Sequence, residues 1–163
     1  MLAMTKIGVL SDTHLTRVTE EFSAIVSTLF RDADLIIHAG DMVSRDVYDY
    51  LCTWDVRAVA GNMDGFDLAG LLPGKRVEVI EGKRIGIVHG AGPPYAIEQR
   101  VLGQFTQVDA IVFGHSHMPA LTRHGDVVLF NPGALKNPST GVRSVGLIEL
   151  DETGMRFKHI PVK

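Results

Sequence analysis

Seven side chains able to hold a metal ion stand at, or just past, the C-terminal ends of short apolar runs: Asp12, His14, Asp41, Asn62, His89, His115 and His117. They lie in the strings Ser-Asp-Thr-His, His-Ala-Gly-Asp, Ala-Gly-Asn-Met-Asp, Val-His-Gly and Gly-His-Ser-His, four of which hold a glycine that would let the backbone turn tightly beside a crowded centre. Asp12 with His14, and His115 with His117, are spaced by two, so on extended backbone each pair would point to one side. Imidazole mixed with carboxylate suits Mn²⁺, Fe²⁺, Co²⁺, Ni²⁺ or Zn²⁺ better than Ca²⁺ or Mg²⁺, which prefer all-oxygen shells. Seven ligands are too many for one such ion. Two ions sharing a carboxylate, about 3.5 to 4 Å apart, would use them and would clamp a phosphoryl group. Two divalent cations, two aspartates and a bridging hydroxide leave an excess of one positive charge, enough to attract a phosphate oxyanion. Any one of these residues alone reads more simply as a turn, cap or core residue, and it is the set that points to metal. His38, inside an apolar run, is expected to be core or to support a ligand, and Asp64 to orient a neighbouring ligand. His124 and His159 are expected to face solvent.

The elements needed to position this set emerge from periodicity. Ile7 to Leu10, Leu35 to Ala39 and Val56 to Ala60 read as buried strands. Between them lie two helical patterns. One is capped by Thr19 and buries Phe22, Ile25, Val26, Leu29 and Phe30; the other is capped by Ser44 and buries Val47, Leu51 and Trp54. This β-α-β-α-β alternation implies parallel pairing. Ligands bind at the C-terminal edge of such sheets, where the seven residues fall. In the second half, Arg76 to Ile80 and Arg84 to Val88 flank a hairpin signal, Glu81-Gly82-Lys83. Pro93-Pro94 is expected to open a helix with Ile97, Val101 and Phe105. Strand-length runs come next at 110–113, 120–123, 127–130, 145–150 and 155–160, the last two joined by Asp151-Glu152-Thr153-Gly154. Ten strands are too many for one twisted sheet in a chain of 163 residues, so two mixed sheets packed face to face with helices outside are expected, as one domain over residues 1–163.

Composition narrows the field. With 45% hydrophobic and 21% charged residues the chain can bury a core, and its net charge of −3 argues against duplex nucleic acid or an acidic membrane as partner. A single cysteine, Cys52, permits no intrachain disulfide and is expected to be a half-buried, inert thiol. No apolar run approaches the roughly 20 residues that span a bilayer. The opening stretch from Met1-Leu2-Ala3 to Asp12 lacks the small-residue cleavage site of a leader, so a cytoplasmic location is expected. Gly114-His115-Ser116-His117-Met118 lacks the last glycine of a nucleophile elbow. Gly90-Ala91-Gly92-Pro93-Pro94 loses to proline the amides a pyrophosphate needs, and Gly70 to Arg76 is too short for a phosphate loop. Lys75, Arg76, Lys83 and Arg84 read as a solvated hairpin face. A homo-oligomer stays open.

Taken in order, Asp-x-His, Gly-Asp, Gly-Asn, His-Gly, Gly-His-x-His and Asn131-Pro132-Gly133 resemble the calcineurin-like metallophosphoesterase superfamily, in particular its small phosphodiesterase branch without a cap domain. The resemblance runs from Ile7 to about the C-terminus. It implies a four-layer α-β-β-α sandwich. It further implies that Asp12, His14 and His117 hold one metal, Asn62, His89 and His115 the other, and that Asp41 bridges. The implied activity is phosphoester hydrolysis, on diesters or small phosphoesters, by a metal-bridging hydroxide attacking phosphorus in line, with Asn62, Asp41 and His14 nearest the chemistry and manganese foremost among the ions. Met63 departs from the pattern, because many superfamily phosphatases carry there a histidine that donates a proton to the leaving group, and methionine cannot. Leu15 and Ala134 also depart, standing where relatives often have glycine and serine. The same fold serves a eukaryotic retromer subunit as an interaction scaffold with an incomplete metal site, whereas every ligand position is filled here.

Overall fold

The structure, a computed structural model, describes residues 4–163; Met1-Leu2-Ala3, at the start of the stretch considered for a leader, lie outside them. Strand β1 (Thr5–Leu10) sits at the centre of a five-stranded sheet, paired in parallel with β2 (Leu35–His38) and antiparallel with β9 (Arg143–Asp151). The parallel neighbour β3 (Val56–Ala58) closes one edge and β10 (Gly154–Val162) the other. The second sheet orders β4 (Lys75–Ile80), β5 (Lys83–Val88), β6 (Ala110–Val112), β8 (Val127–Asn131) and β7 (Ala120–His124). Both sheets mix parallel and antiparallel pairs, as expected from ten strands with helices between only some of them.

Three cores make four layers. Helices α1 (Glu20–Leu29) and α2 (Arg45–Leu51) bury Phe22, Val26, Val47 and Leu51 against Leu10 and Ile36 of the first sheet. Between the sheets Ile7, Val9, Ile37 and Ile148 meet Ile85, Ile87, Val112 and Phe130. On the far side α4 (Ile97–Leu102) packs Ile97 and Val101 on Ile111 and Leu129. Along the inner strands β1, β2, β5, β6 and β8 the alternation of side chains feeds two cores at once, which is why these runs are largely apolar instead of apolar at every second residue. Thr19 and Ser44 cap α1 and α2 by accepting from the backbone amides of Phe22 and Val47, each worth about 1 kcal/mol. Gly8 leaves the strand surface bare for the Phe30 ring, which would lie 2.6 Å from a Cβ there.

Several local expectations are corrected. The hairpin turn is Glu81-Gly82 alone, both at positive φ (47° and 73°), so Lys83 already pairs with Ile80. Likewise Asp151 and Gly154 pair with each other around a two-residue turn. Helix α4 does not open at Pro93-Pro94 but after Ala96, and Phe105 lies beyond its end, where its ring covers Gly86. Trp54 lies beyond α2 while still packing on the same core. A four-residue helix, α3 (Phe66–Ala69), is an addition to the expected elements; it is too short to show a period. Cys52 is exposed, not half-buried.

Candidate metal centre

Asp12 and His14 lie just past β1, Asp41 past β2, Asn62 past β3, His89 past β5, and His115 and His117 past β6. All seven converge where the C-terminal ends of these strands meet across the two sheets. The backbone reason differs from the expected one. Asp12, His14, His115 and His117 are not extended but left-handed, with φ of 53°, 46°, 69° and 56°, and Asp41 joins them at 58°. Asp and His tolerate this region better than most residues, yet each costs roughly 1 kcal/mol or more, a concentration of strain typical of functional sites. The glycines also divide into two kinds. Gly40 and Gly90 do turn the chain at φ of 95° and 97°. Gly61 and Gly114 instead leave room: a Cβ would lie 2.2 Å from Asp41 Oδ1 in one and 2.7 Å from Asp12 Oδ2 in the other.

The imidazoles are set by backbone carbonyls. His89 Nδ1 donates to Ala39 O at 2.7 Å, His117 Nδ1 to Asn137 O at 2.9 Å, and His115 Nε2 to Gly92 O at 2.9 Å. In each ring the other nitrogen is thereby aimed at the cluster. Asp12 Oδ1, His14 Nε2 and His117 Nε2 lie 3.2 to 3.7 Å from one another. Asp41 Oδ2 stands 3.1 Å from His89 Nε2 and 3.7 Å from His14 Nε2, between the two halves of the set. Asn62 Oδ1 faces both His89 Nε2 and His115 Nδ1 at 3.1 Å. Ligand bonds of about 2.0–2.2 Å in a tetrahedron give edges of roughly 3.3–3.6 Å, close to this spacing.

One atom tests the fit directly. Asp12 is wholly buried; its Oδ2 accepts from Ser11 Oγ and the His115 amide, while its Oδ1 has no hydrogen-bond partner. A buried carboxylate oxygen left so is costly unless a cation completes it. Three ring nitrogens converge on that same oxygen, at 3.3 to 3.9 Å. The donor set fits divalent transition metals.

Without a cation the charges settle on protons. Burial pushes Asp12 up, but His117, His14, His89 and Ser11 outweigh it and hold the carboxyl far below its usual range. Asp41 behaves alike, with burial opposed chiefly by His89. The Asp12 carboxylate, 3.3 Å from His117 Nε2, raises His117 to about 9, and Asp41 with Asp12 raises His89 against its own burial.

Around these residues stands a ring of supports. Asp64 accepts from the amides of Gly61, Val43 and Asp41 at 2.7, 2.7 and 3.3 Å, tying the loops after β2 and β3 together. His38, fully buried, accepts from the Gly40 amide and donates to Thr13 Oγ1; burial lowers it to about 4, so it is a neutral strut. Asn131 donates to Gly114 O and Ser116 Oγ, fixing the His115–His117 turn. His159 is corrected: it points inward, stacks on Phe130 and donates to Asn131 O at 2.7 Å. His124 is half-exposed and paired with Glu98 at 3.0 Å. The carbonyls of Ala39, Gly92 and Asn137 carry no sequence signal, since every residue has one.

Residues 5–153 match the calcineurin-like phosphoesterase superfamily domain. A probable metallophosphoesterase of Methanothermobacter thermautotrophicus is 38% identical over 151 residues, covering 89% of this chain and 86% of that protein. A phosphodiesterase of Methanocaldococcus jannaschii is 25% identical over 167 residues, covering 93% and 96%. The crystal structure of Vps29 from Chaetomium thermophilum superposes with a TM-score of 0.75 at 22% identity, covering 97% of this chain and 93% of that one, a likeness of fold. Two layers of mixed sheet between helices, with the Asp and His cluster at the strand ends, define a metallophosphoesterase architecture. This chain belongs to the calcineurin-like phosphoesterase superfamily.

Proposed function

We propose that the protein is a dimetal-dependent phosphoester hydrolase acting on phosphodiesters. The observation that carries the reading is the buried, unpartnered Asp12 Oδ1 with three imidazole nitrogens facing it, an arrangement that only a cation or protons can neutralise. Asp12, His14 and His117 would hold one ion, Asn62, His89 and His115 the other, and Asp41 both. When bound, such ions supply a nucleophile from water at neutral pH and stabilise charge on phosphoryl oxygens, with manganese the foremost choice. The chain's own residues do the rest. Asn62 orients a phosphoryl oxygen beside the ligand rings, and Asp64 and Asn131 keep the loops in place.

Met63 decides which esters suit the site. It is exposed beside Asn62 and has no proton to give, so the leaving group departs without general-acid help, a loss of about 10²–10⁴-fold for poorly activated alcohols. The M. jannaschii phosphodiesterase supports a diester over a monoester. Residues 1–163 are read as one domain working in the cytoplasm on small, accessible phosphoesters; among the described residues no helix is long and apolar enough to cross a membrane. The test is hydrolysis of bis-nitrophenyl phosphate and nitrophenyl phosphate by metal-stripped protein titrated with Mn²⁺, Ni²⁺, Zn²⁺ and Mg²⁺. Diester turnover restored by a transition metal is expected. Two bound equivalents with no turnover on any phosphoester would overturn the reading in favour of an interaction scaffold of the same fold.

A further inference from the structure

A cavity of about 200 Å³ opens between the start of α1 and the loop after β8, lined by Thr13, Leu15, Glu21, Leu135, Lys136 and Arg143 among others. Its place beside the metal centre is set by the chain itself. Thr13 stands between Asp12 and His14, and the Lys136 ammonium donates to the backbone oxygen of His14 at 3.4 Å. The next residue, Asn137, holds the His117 ring through its carbonyl. The loop carrying Lys136 is therefore fastened to ligand residues that come from opposite sheets.

The charges of the cavity are unequal. Arg143 is matched by Glu21 at 2.8 Å and donates to Lys163 O at 2.9 Å, but that Glu21 side chain is 64% exposed and such a pair is weak in water. Among the described residues Lys136 forms no ion pair. Two cations against one carboxylate leave the cavity with a formal charge of +1. Its size is below that of pockets that enclose a whole ligand and suits a single head group. An ammonium and a guanidinium together are a phosphate-binding pair.

Given the hydrolase reading, on which this rests, we infer that the cavity is a subsite for a second phosphate: the substrate class is a phosphodiester one of whose alcohols is itself phosphorylated. The phosphoryl group to be cleaved sits at the metal centre, and the phosphate of the retained arm sits on Lys136 and draws Arg143 from Glu21.

The test uses a matched pair of substrates, the nitrophenyl ester of thymidine 5′-phosphate with and without a 3′-phosphate, on Mn²⁺-loaded protein. The 3′-phosphorylated compound is expected to have a KM about tenfold lower, from one charge-assisted contact. That ratio should fall to near one in Lys136→Gln and persist in Lys136→Arg, while Lys158→Gln, a cation on the outer face of β10, leaves both substrates as in the wild type. Calorimetric binding of thymidine 3′,5′-bisphosphate against thymidine 5′-phosphate gives the same comparison without turnover, so an inert protein would sink the hydrolase reading and still decide the subsite. A wild-type ratio of one, or a ratio unchanged in Lys136→Gln, overturns the inference.

Discussion

The two sheets bring different chemistry to one place. The first supplies all the oxygen donors of the cluster, Asp12, Asp41 and Asn62, with a single imidazole, His14; the second supplies imidazoles only, His89, His115 and His117. Negative charge is thus buried on one side of the interface and proton- or metal-accepting nitrogen on the other. The first sheet cannot bury Asp12 and Asp41 alone without large desolvation costs, and the second sheet's rings are what offset them. The carboxylates raise His117 to about 9 and raise His89 as well, so protons on the second sheet's rings offset charge that a cation would otherwise neutralise. The cluster is therefore part of what holds the sheets face to face, along with the apolar layer between them.

That division can be broken from the oxygen side first. Asp41→Asn removes the carboxylate shared by both halves of the set and should lower turnover by about 10³-fold or more, with less than one equivalent of metal retained on dialysis, since each loss of about 1.4 kcal/mol is tenfold. Full metal content and activity in that variant would remove Asp41 from its bridging place. From the imidazole side the loss should be smaller: His115→Ala is expected to keep one equivalent and to lose about 10²-fold in turnover. Equal losses in the two variants would mean that the sheets contribute alike. Asp64→Asn sharpens the picture further, since it touches only amides of the oxygen-bearing loops; a fall of about 10- to 100-fold in metal affinity is expected, with the thermal midpoint of metal-free protein little changed.

A further expected effect is that of pH. His117 is raised from 6.5 to about 9 in the metal-free fold, so its contribution to stability is fully present below 6.5 and is lost as pH rises through 9. A metal ion must displace that proton, so its apparent affinity should increase with pH up to about 9 and then level. Titrating metal-stripped protein with Zn²⁺ from pH 6.5 to 9.5 checks this; a flat profile would mean that the second sheet does not carry the proton.

Much of this is legible in the sequence. The strand ends and the seven ligand-type residues stand out because apolar runs stop abruptly at groups that cannot be buried unpaired, and Thr19 and Ser44 announce their helices through local hydrogen bonding. The rest is set by tertiary contacts. The spacing of Asp12 with His14, and of His115 with His117, suggests convergence on extended backbone, whereas left-handed turns produce it. His159 looks like a surface residue on a late strand, and only the packing of β10 over Phe130 turns it inward. Lys136 has no distinguishing neighbour in the sequence; its meaning comes from the His14 carbonyl, 122 positions away.

The place of β1 between β2 and β9 has a consequence in time. During synthesis the acidic ligands emerge early, while the strand that covers the other edge of β1, residues 143–151, leaves the ribosome long after residues 5–10. The central strand stays half-paired in the meantime, and the first sheet cannot close from its own early elements. Such long-range pairing slows folding and prolongs the exposure of unpaired strand edges. Assembly of the cluster at the strand ends is accordingly a late event, since it needs both sheets in place.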